Sequence, residues 1–131
     1  MSPNLPNYLS ELPIYQKAMD IWTLSRNIST YLNYDLCTLD EYGNEDPNIY
    51  FSGDIVQQSS SLSSEVINTA LENTRDEKYK RMLSLKRLTR HLYNNCTRLE
   101  NANSNGKEYL PLLKVELKRF NRLHRSWMLT L

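Results

Sequence analysis

The chain has 131 residues, of which 40% are apolar and 24% are charged, and its formal net charge is only +1. This length fits one domain, and no segment approaches the roughly 18 to 20 apolar residues that cross a membrane. Its two cysteines, Cys37 and Cys96, form no CxxC pair, which argues against both a disulfide framework and a zinc site.

The first segment, residues 1–13, lacks the basic start and the apolar run of a secretory signal. We therefore expect a cytoplasmic protein that does not associate with membranes. All three glycines fall where the periodic apolar pattern stops, which favours long, unbroken helices.

A first helix is predicted to open at Pro13, because proline suits an initial helical turn. Apolar and small side chains then recur at helical spacing on one face, which holds Ile14, Ala18, Ile21, Trp22, Ser25, Ile28 and Leu32. The period is lost over residues 33–50, which contain five acidic residues and no basic one. This segment is predicted to be a long acidic loop.

A second helix is predicted from about Gly53 to about Asn73, although the serine-rich residues 57–64 resemble a linker in composition. The apolar and small residues nevertheless keep one helical frame, which comprises Ile55, Val56, Ser59, Leu62, Ser63, Val66, Ile67 and Ala70. The small members of this set would let a neighbouring helix come close.

Thr74 and Glu77 have the spacing of a capping box and predict the start of a third helix. Its inner face is predicted to hold Met82, Leu85, Leu88, Leu92, Cys96 and Leu99, before the turn-rich residues 101–106. Pro111 places the start of a fourth helix near residues 108–110. The inner face of that helix is predicted to hold Leu110, Leu113, Leu117, Phe120, His124 and Trp127.

Four amphipathic helices of this length bury their apolar faces most simply in a bundle. We predict an all-α fold, an antiparallel up-down four-helix bundle, with residues 1–131 forming a single domain.

The near-zero net charge conceals a strong asymmetry between the two parts of the chain. Residues 1–74 contain two basic and ten acidic residues, a formal charge of −8, whereas residues 75–131 contain fourteen basic and five acidic residues, a formal charge of +9. Such a separation suggests a polyanionic partner.

The positive charge is arranged in two stripes off the apolar faces. The stripe on the fourth helix comprises Lys107, Lys114, Lys118, Arg122 and Arg125, and the stripe on the third comprises Lys80, Arg87, His91 and Arg98. Antiparallel packing could bring the two stripes together into a basic ridge or groove that matches a phosphate backbone. The alternative is a solvated face, balanced by the acidic first two helices.

The sequence contains few residues of the types that form catalytic or metal-binding sites. His124 lies on an apolar face and is interpreted as a hydrogen-bonded core histidine, and with only two histidines no catalytic constellation or metal site is indicated. Leu83, Leu112 and Val115 lie off the main apolar stripes and suggest a subunit or protein interface, although scattered surface hydrophobes are equally ordinary.

Three stretches carry a resemblance to a known family: LPIYQKAMDIW (residues 12–22), KYKRMLSLKRLTRHL (residues 78–92) and YLPLLKVELKRFNRLHRSW (residues 109–127). They resemble helices of a family of small bacterial four-helix-bundle proteins. The family includes proteins encoded in intervening sequences of ribosomal RNA genes and the accessory variability determinant of diversity-generating retroelements. Trp127 matches the position of a recurrent late tryptophan.

The resemblance implies a homo-oligomeric, pentameric barrel that binds a reverse transcriptase and its template RNA during mutagenic copying, without catalytic residues or a cofactor. On that basis the basic residues of the third and fourth helices would contact RNA, and DNA is a further nucleic acid that the same residues could bind. The leading hypothesis is therefore a non-enzymatic accessory protein of a diversity-generating retroelement. The rival hypothesis is a protein-interaction adaptor that self-assembles or docks an acidic partner without nucleic acid.

Overall fold

A computed structural model describes residues 7–102 and 104–131 of the chain. Its five α-helices are α1 (Asn7–Ser10), α2 (Pro13–Leu36), α3 (Asn48–Ala70), α4 (Arg75–Leu99) and α5 (Leu110–Met128). A 3-10 helix, Asn105–Tyr109, leads directly into α5. Two parts of the sequence interpretation lie outside the described residues. They are residues 1–6, from the segment compared with a secretory signal, and Asn103, from the predicted turn.

The four long helices, α2 to α5, pack antiparallel. Each contacts the next one along the chain, and α5 packs back against α2. The prediction of an up-down four-helix bundle is confirmed. Within the described residues, no helix has both the length and the hydropathy needed to span a membrane.

The core follows the periodicity of the sequence, because each long helix buries the face on which its apolar side chains recur. Ile21, Leu62, Leu92 and Phe120, one from each helix, are completely buried. Leu88 and Trp127 are only partly buried, while Thr89 takes a buried position on α4 and donates its hydroxyl to Leu85 O over 2.8 Å.

Serine hydroxyls replace apolar side chains between α2 and α3. The hydroxyl oxygens of Ser25 and Ser59 are 2.6 Å apart, and those of Ser29 and Ser52 are 2.9 Å apart. All four residues are buried. Because the Ser59 hydroxyl donates to Ile55 O at 2.6 Å, its one proton is used there and Ser25 must donate to Ser59. Of the small residues predicted to let a neighbouring helix come close, Ser59 therefore lies in direct contact with α2.

Thr74 caps α4 as predicted, since its side chain accepts a hydrogen bond from the backbone N–H of Glu77 over 3.2 Å. The segment predicted to be a long acidic loop, residues 33–50, is shorter in the structure. The connection between α2 and α3 covers only residues 37–47, and we call it the acidic connection. The buried stripe of α2 continues from Leu32 to Leu36, and this extra turn carries the helix past the polar residues that had suggested its end. The short helix α1, held by the buried Leu9, was not predicted.

Candidate nucleic-acid interface

A groove lined with positive charge runs between α4 and α5. It has a volume of about 380 Å³ and is lined by Lys86, Thr89, Arg90 and Tyr93 of α4 and by Lys118, Asn121, His124, Arg125 and Met128 of α5. We call this the basic groove. On α4 the lining residues occupy positions i, i+3, i+4 and i+7, counted from Lys86, the spacing that keeps side chains on one side of a helix.

The four cations of the basic groove, Lys86, Arg90, Lys118 and Arg125, are all exposed. The ion pairs within residues 7–102 and 104–131 involve other basic residues, so none of these four has an acidic partner there. Positive charges brought together from two helices without compensation produce a positive potential, and the walls of a cleft concentrate it. The basic groove is therefore suited to an anionic ligand.

His124 lies below these cations and is 4% exposed. Its Nε2 is 2.8 Å from Met82 O, and because a carbonyl oxygen only accepts, Nε2 carries the proton. Burial lowers the pKa of His124, the positive charge of Lys86 lowers it further, and the hydrogen bond to Met82 opposes both effects. The interpretation of His124 as a hydrogen-bonded core histidine is confirmed.

The structure places two members of the predicted α5 stripe, Lys118 and Arg125, in the basic groove. Arg122 is exposed on α5 outside the groove lining. Lys107 belongs to the 3-10 helix and lines a separate polar pocket beside Asp35.

Lys114 has a different environment, because its side chain is only 17% exposed and forms an ion pair with Glu100. The same Nζ lies 5.0 Å from the centre of the Tyr93 ring. Its charge is therefore already engaged inside the bundle, at one end of the α4–α5 interface.

The predicted α4 stripe does not meet the α5 stripe. Arg87 and His91 each follow a groove cation by one residue and so lie about 100° further round the helix, on its exposed side. Arg98 lies over the ring of Phe51 on α3, 4.0 Å from its centre, and Lys80 pairs with Glu77 over 3.5 Å. The cations that α4 contributes to the groove are instead Lys86 and Arg90.

Sequence periodicity identifies the buried face of α4, but it does not tell which helix packs against each side of that face. It therefore did not predict that Lys86 and Arg90 face α5. A bundle of this connectivity can turn in either direction, which exchanges the flanks that face α3 and α5. One signal was present: both residues directly follow buried positions, Leu85 and Thr89, as Lys118 follows the buried Leu117.

Among the apolar residues predicted to form an interface, Leu112 is 55% and Val115 is 44% exposed. Leu83 is partly buried. Next to them in sequence, Tyr109 stacks on Tyr31 of α2 with ring centroids 5.7 Å apart.

Two free cysteines are present among the described residues, the exposed Cys37 and the buried Cys96. Burial raises the pKa of the Cys96 thiol to about 12, so this side chain stays protonated and is a poor nucleophile. Among the residues that the structure describes, no group of three or more His, Cys, Asp or Glu side chains could hold a metal ion.

Comparison of the chain with protein-family models, with curated proteins and with solved structures finds no match.

Proposed function

We propose that this protein is a non-enzymatic RNA-binding bundle whose basic groove contacts the phosphate backbone. The observation that carries the proposal is the convergence of Lys86, Arg90, Lys118 and Arg125 from two helices, with no acidic partner for any of them in the described residues. The chain contains fifteen acidic residues, enough to balance these charges. Their absence from the groove lining favours a ligand that supplies the negative charge.

The groove lining also favours a nucleic acid over a small inorganic anion. Lysine and arginine bind phosphate oxygens directly, and arginine can do so through two parallel hydrogen bonds. Between the cations lie the Tyr93 ring and the Asn121 amide, groups that contact bases in RNA complexes. Arg87, His91 and Arg122 extend the positive surface beyond the groove and could contact more distant phosphates.

The resemblance of residues 12–22, 78–92 and 109–127 to the bundle family described above supports the same proposal. It further suggests a reverse transcriptase as the protein partner and a pentamer as the assembly, in the setting of a diversity-generating retroelement. These finer statements rest on the resemblance alone.

RNA binding can be tested with the double variant Lys118→Ala/Arg125→Ala and fluorescence anisotropy of a labelled RNA. Removing two groove cations should weaken binding at least tenfold, because hydrogen bonds to charged groups contribute about 1.5–3 kcal/mol each. The matched control is Arg119→Ala, since Arg119 is adjacent in sequence but forms an ion pair with Glu116 over 2.7 Å. Equal losses of RNA affinity in the double variant and in the Arg119→Ala variant would contradict a binding role for the groove.

The second candidate function is an adaptor that binds protein rather than nucleic acid. The exposed Leu112 and Val115 favour it, because both sit on α5 near the exposed aromatic pair of Tyr31 and Tyr109. Sedimentation and RNA anisotropy of the groove double variant and of a Leu112→Ser/Val115→Ser variant separate the two functions. Loss of assembly with unchanged RNA affinity would support the adaptor, whereas loss of RNA affinity with unchanged assembly would support RNA binding.

A further inference from the structure

The width of the basic groove limits what can enter it. Its cations lie on the facing flanks of two packed helices, and the axes of such helices are about 8–10 Å apart. Because a helix with its side chains is itself about 10–12 Å across, the groove is a furrow between side chains, which one extended chain can follow. A double-stranded RNA can rest only on the rim of such a groove, because its bases are paired inside the helix and it meets a protein through its backbone and shallow minor groove.

The volume of the groove is in keeping with a ligand the size of a nucleotide. Ligand pockets in proteins are typically about 300–1,000 Å³, and the basic groove, at about 380 Å³, lies near the lower limit of that range. One nucleotide of a longer strand could therefore occupy it, with its flanking phosphates held by cations on either wall.

The uncharged lining residues indicate that a base, as well as a phosphate, would be contacted. Asn121 is exposed in the groove, and its side-chain amide has no hydrogen-bond partner among the described residues. Tyr93 and Met128 add a partly buried aromatic and thioether surface on either side. The bases of a single strand are open to such groups, whereas in a duplex they are paired and stacked.

We propose that the basic groove selects single-stranded RNA over double-stranded RNA, with one unpaired nucleotide seated between α4 and α5 and its base edge within reach of Asn121. This inference rests on the proposed RNA-binding function and specifies the form of RNA bound. A duplex would contact only the ends of the long cationic side chains and the outer cations such as Arg87 and Arg122, without reaching Asn121.

The test compares two labelled RNAs of equal length by anisotropy at one salt concentration: an oligomer without self-complementarity, and the same oligomer annealed to its complement. The wild-type protein should bind the single strand about tenfold more tightly. Asn121→Ala should weaken single-strand binding about two- to thirteenfold, the equivalent of one hydrogen bond of about 0.5–1.5 kcal/mol, and leave duplex binding unchanged. The matched control is Asn94→Ala, an exposed asparagine on α4 outside the groove lining, which should change neither affinity.

The outcomes separate this inference from the function on which it rests. Equal or tighter binding of the duplex, or an Asn121→Ala variant that behaves like wild type, would overturn single-strand selection while leaving RNA binding in place. If neither RNA binds, both the inference and the proposed function fail.

Discussion

At the scale of single residues, basic side chains with similar positions in the sequence have different surroundings. Lys114 and Lys118 are one helical turn apart on α5, yet Lys114 is paired with Glu100 while Lys118 has no acidic partner in the described residues. Lysine charge that is already paired within the bundle contributes to folding more than to ligand binding. The two residues should therefore respond differently to the same substitution.

Replacing Lys114 with alanine should lower the stability of the bundle more than its affinity for RNA. Glu100 is 33% exposed at its side chain and would lose its partner, so we expect a loss of about 1–2 kcal/mol, between the values for exposed and buried ion pairs. Urea unfolding measures this loss. Lys118→Ala is the control and should change the free energy of unfolding by less than about 0.5 kcal/mol. A Lys114→Ala protein with wild-type stability and strongly weakened RNA binding would contradict this assignment.

His124 should make the stability of the protein depend on pH near neutrality. Burial lowers its pKa in the folded state, so below about pH 6.5 the unfolded chain binds a proton that the folded chain does not. The contribution of His124 to stability is therefore fully present above that pH and declines as the pH falls. Thermal unfolding between pH 5.5 and 8 should show this decline.

The His124→Gln variant should show a shallower decline in melting temperature over the same pH range, because the titrating group is gone. His91→Gln, at an exposed position on α4, should retain the wild-type pH profile. If the His91 variant, rather than the His124 variant, loses the pH dependence, the assignment to His124 is wrong.

At the scale of helices, sequence periodicity was sufficient to predict the four long elements and most of their buried faces. The start predicted for α3, near Gly53, is five residues too late, since the helix begins at Asn48. Polar residues conceal the helix at this end of the bundle, although its apolar face continues among them: Ile49 and Phe51 pack against the core while their neighbours are exposed or polar.

Periodicity was less informative for the site. It predicted the α5 cations of the basic groove, Lys118 and Arg125, because they flank a well-defined apolar face. It could not predict the α4 cations, because the direction in which the bundle turns decides which flank of α4 faces α5. That direction depends on the packing of all four helices.

The serine contacts between α2 and α3 should be intolerant of larger side chains. Ser59 is completely buried against Ser25, so a leucine there would overfill the interface and remove the acceptor for the Ser25 hydroxyl. We expect Ser59→Leu to lower the free energy of unfolding by at least about 2 kcal/mol. The control is Ser64→Leu, at an exposed position of α3, with an expected change below about 0.5 kcal/mol. Similar unfolding midpoints for the two variants would contradict this account of the α2–α3 contact.

At the scale of the whole molecule, the acidic connection, residues 37–47, and the basic groove occupy different parts of the bundle. Two carboxylates of the acidic connection are engaged close to their own position in the chain. Asp40 accepts hydrogen bonds from the N–H groups of Tyr42 and Asn44, and Glu45 accepts one from the hydroxyl of Tyr50 in the first turn of α3. The bond to Glu45 also raises the pKa of Tyr50.

The acidic connection is also distant from much of the basic groove in the same molecule. It lies at the end of the bundle where α4 ends at Leu99, and Lys86 is thirteen residues before that end, roughly 20 Å along the helix at 1.5 Å per residue. The carboxylates of this segment therefore do not screen Lys86, and its charge remains available to a ligand from solution.

The most direct measurement of the central claim is the salt dependence of RNA binding by the wild-type protein and two single variants. If the four groove cations each neutralise one phosphate of a single strand, log K should fall against log salt with a slope of about 3, at about 0.7 per contact. Lys118→Ala should reduce the slope by about 0.7, and its sequence neighbour Arg119→Ala should leave it unchanged. Absence of binding at low salt, or equal slopes for the two variants, would contradict the claim that the groove between α4 and α5 binds RNA.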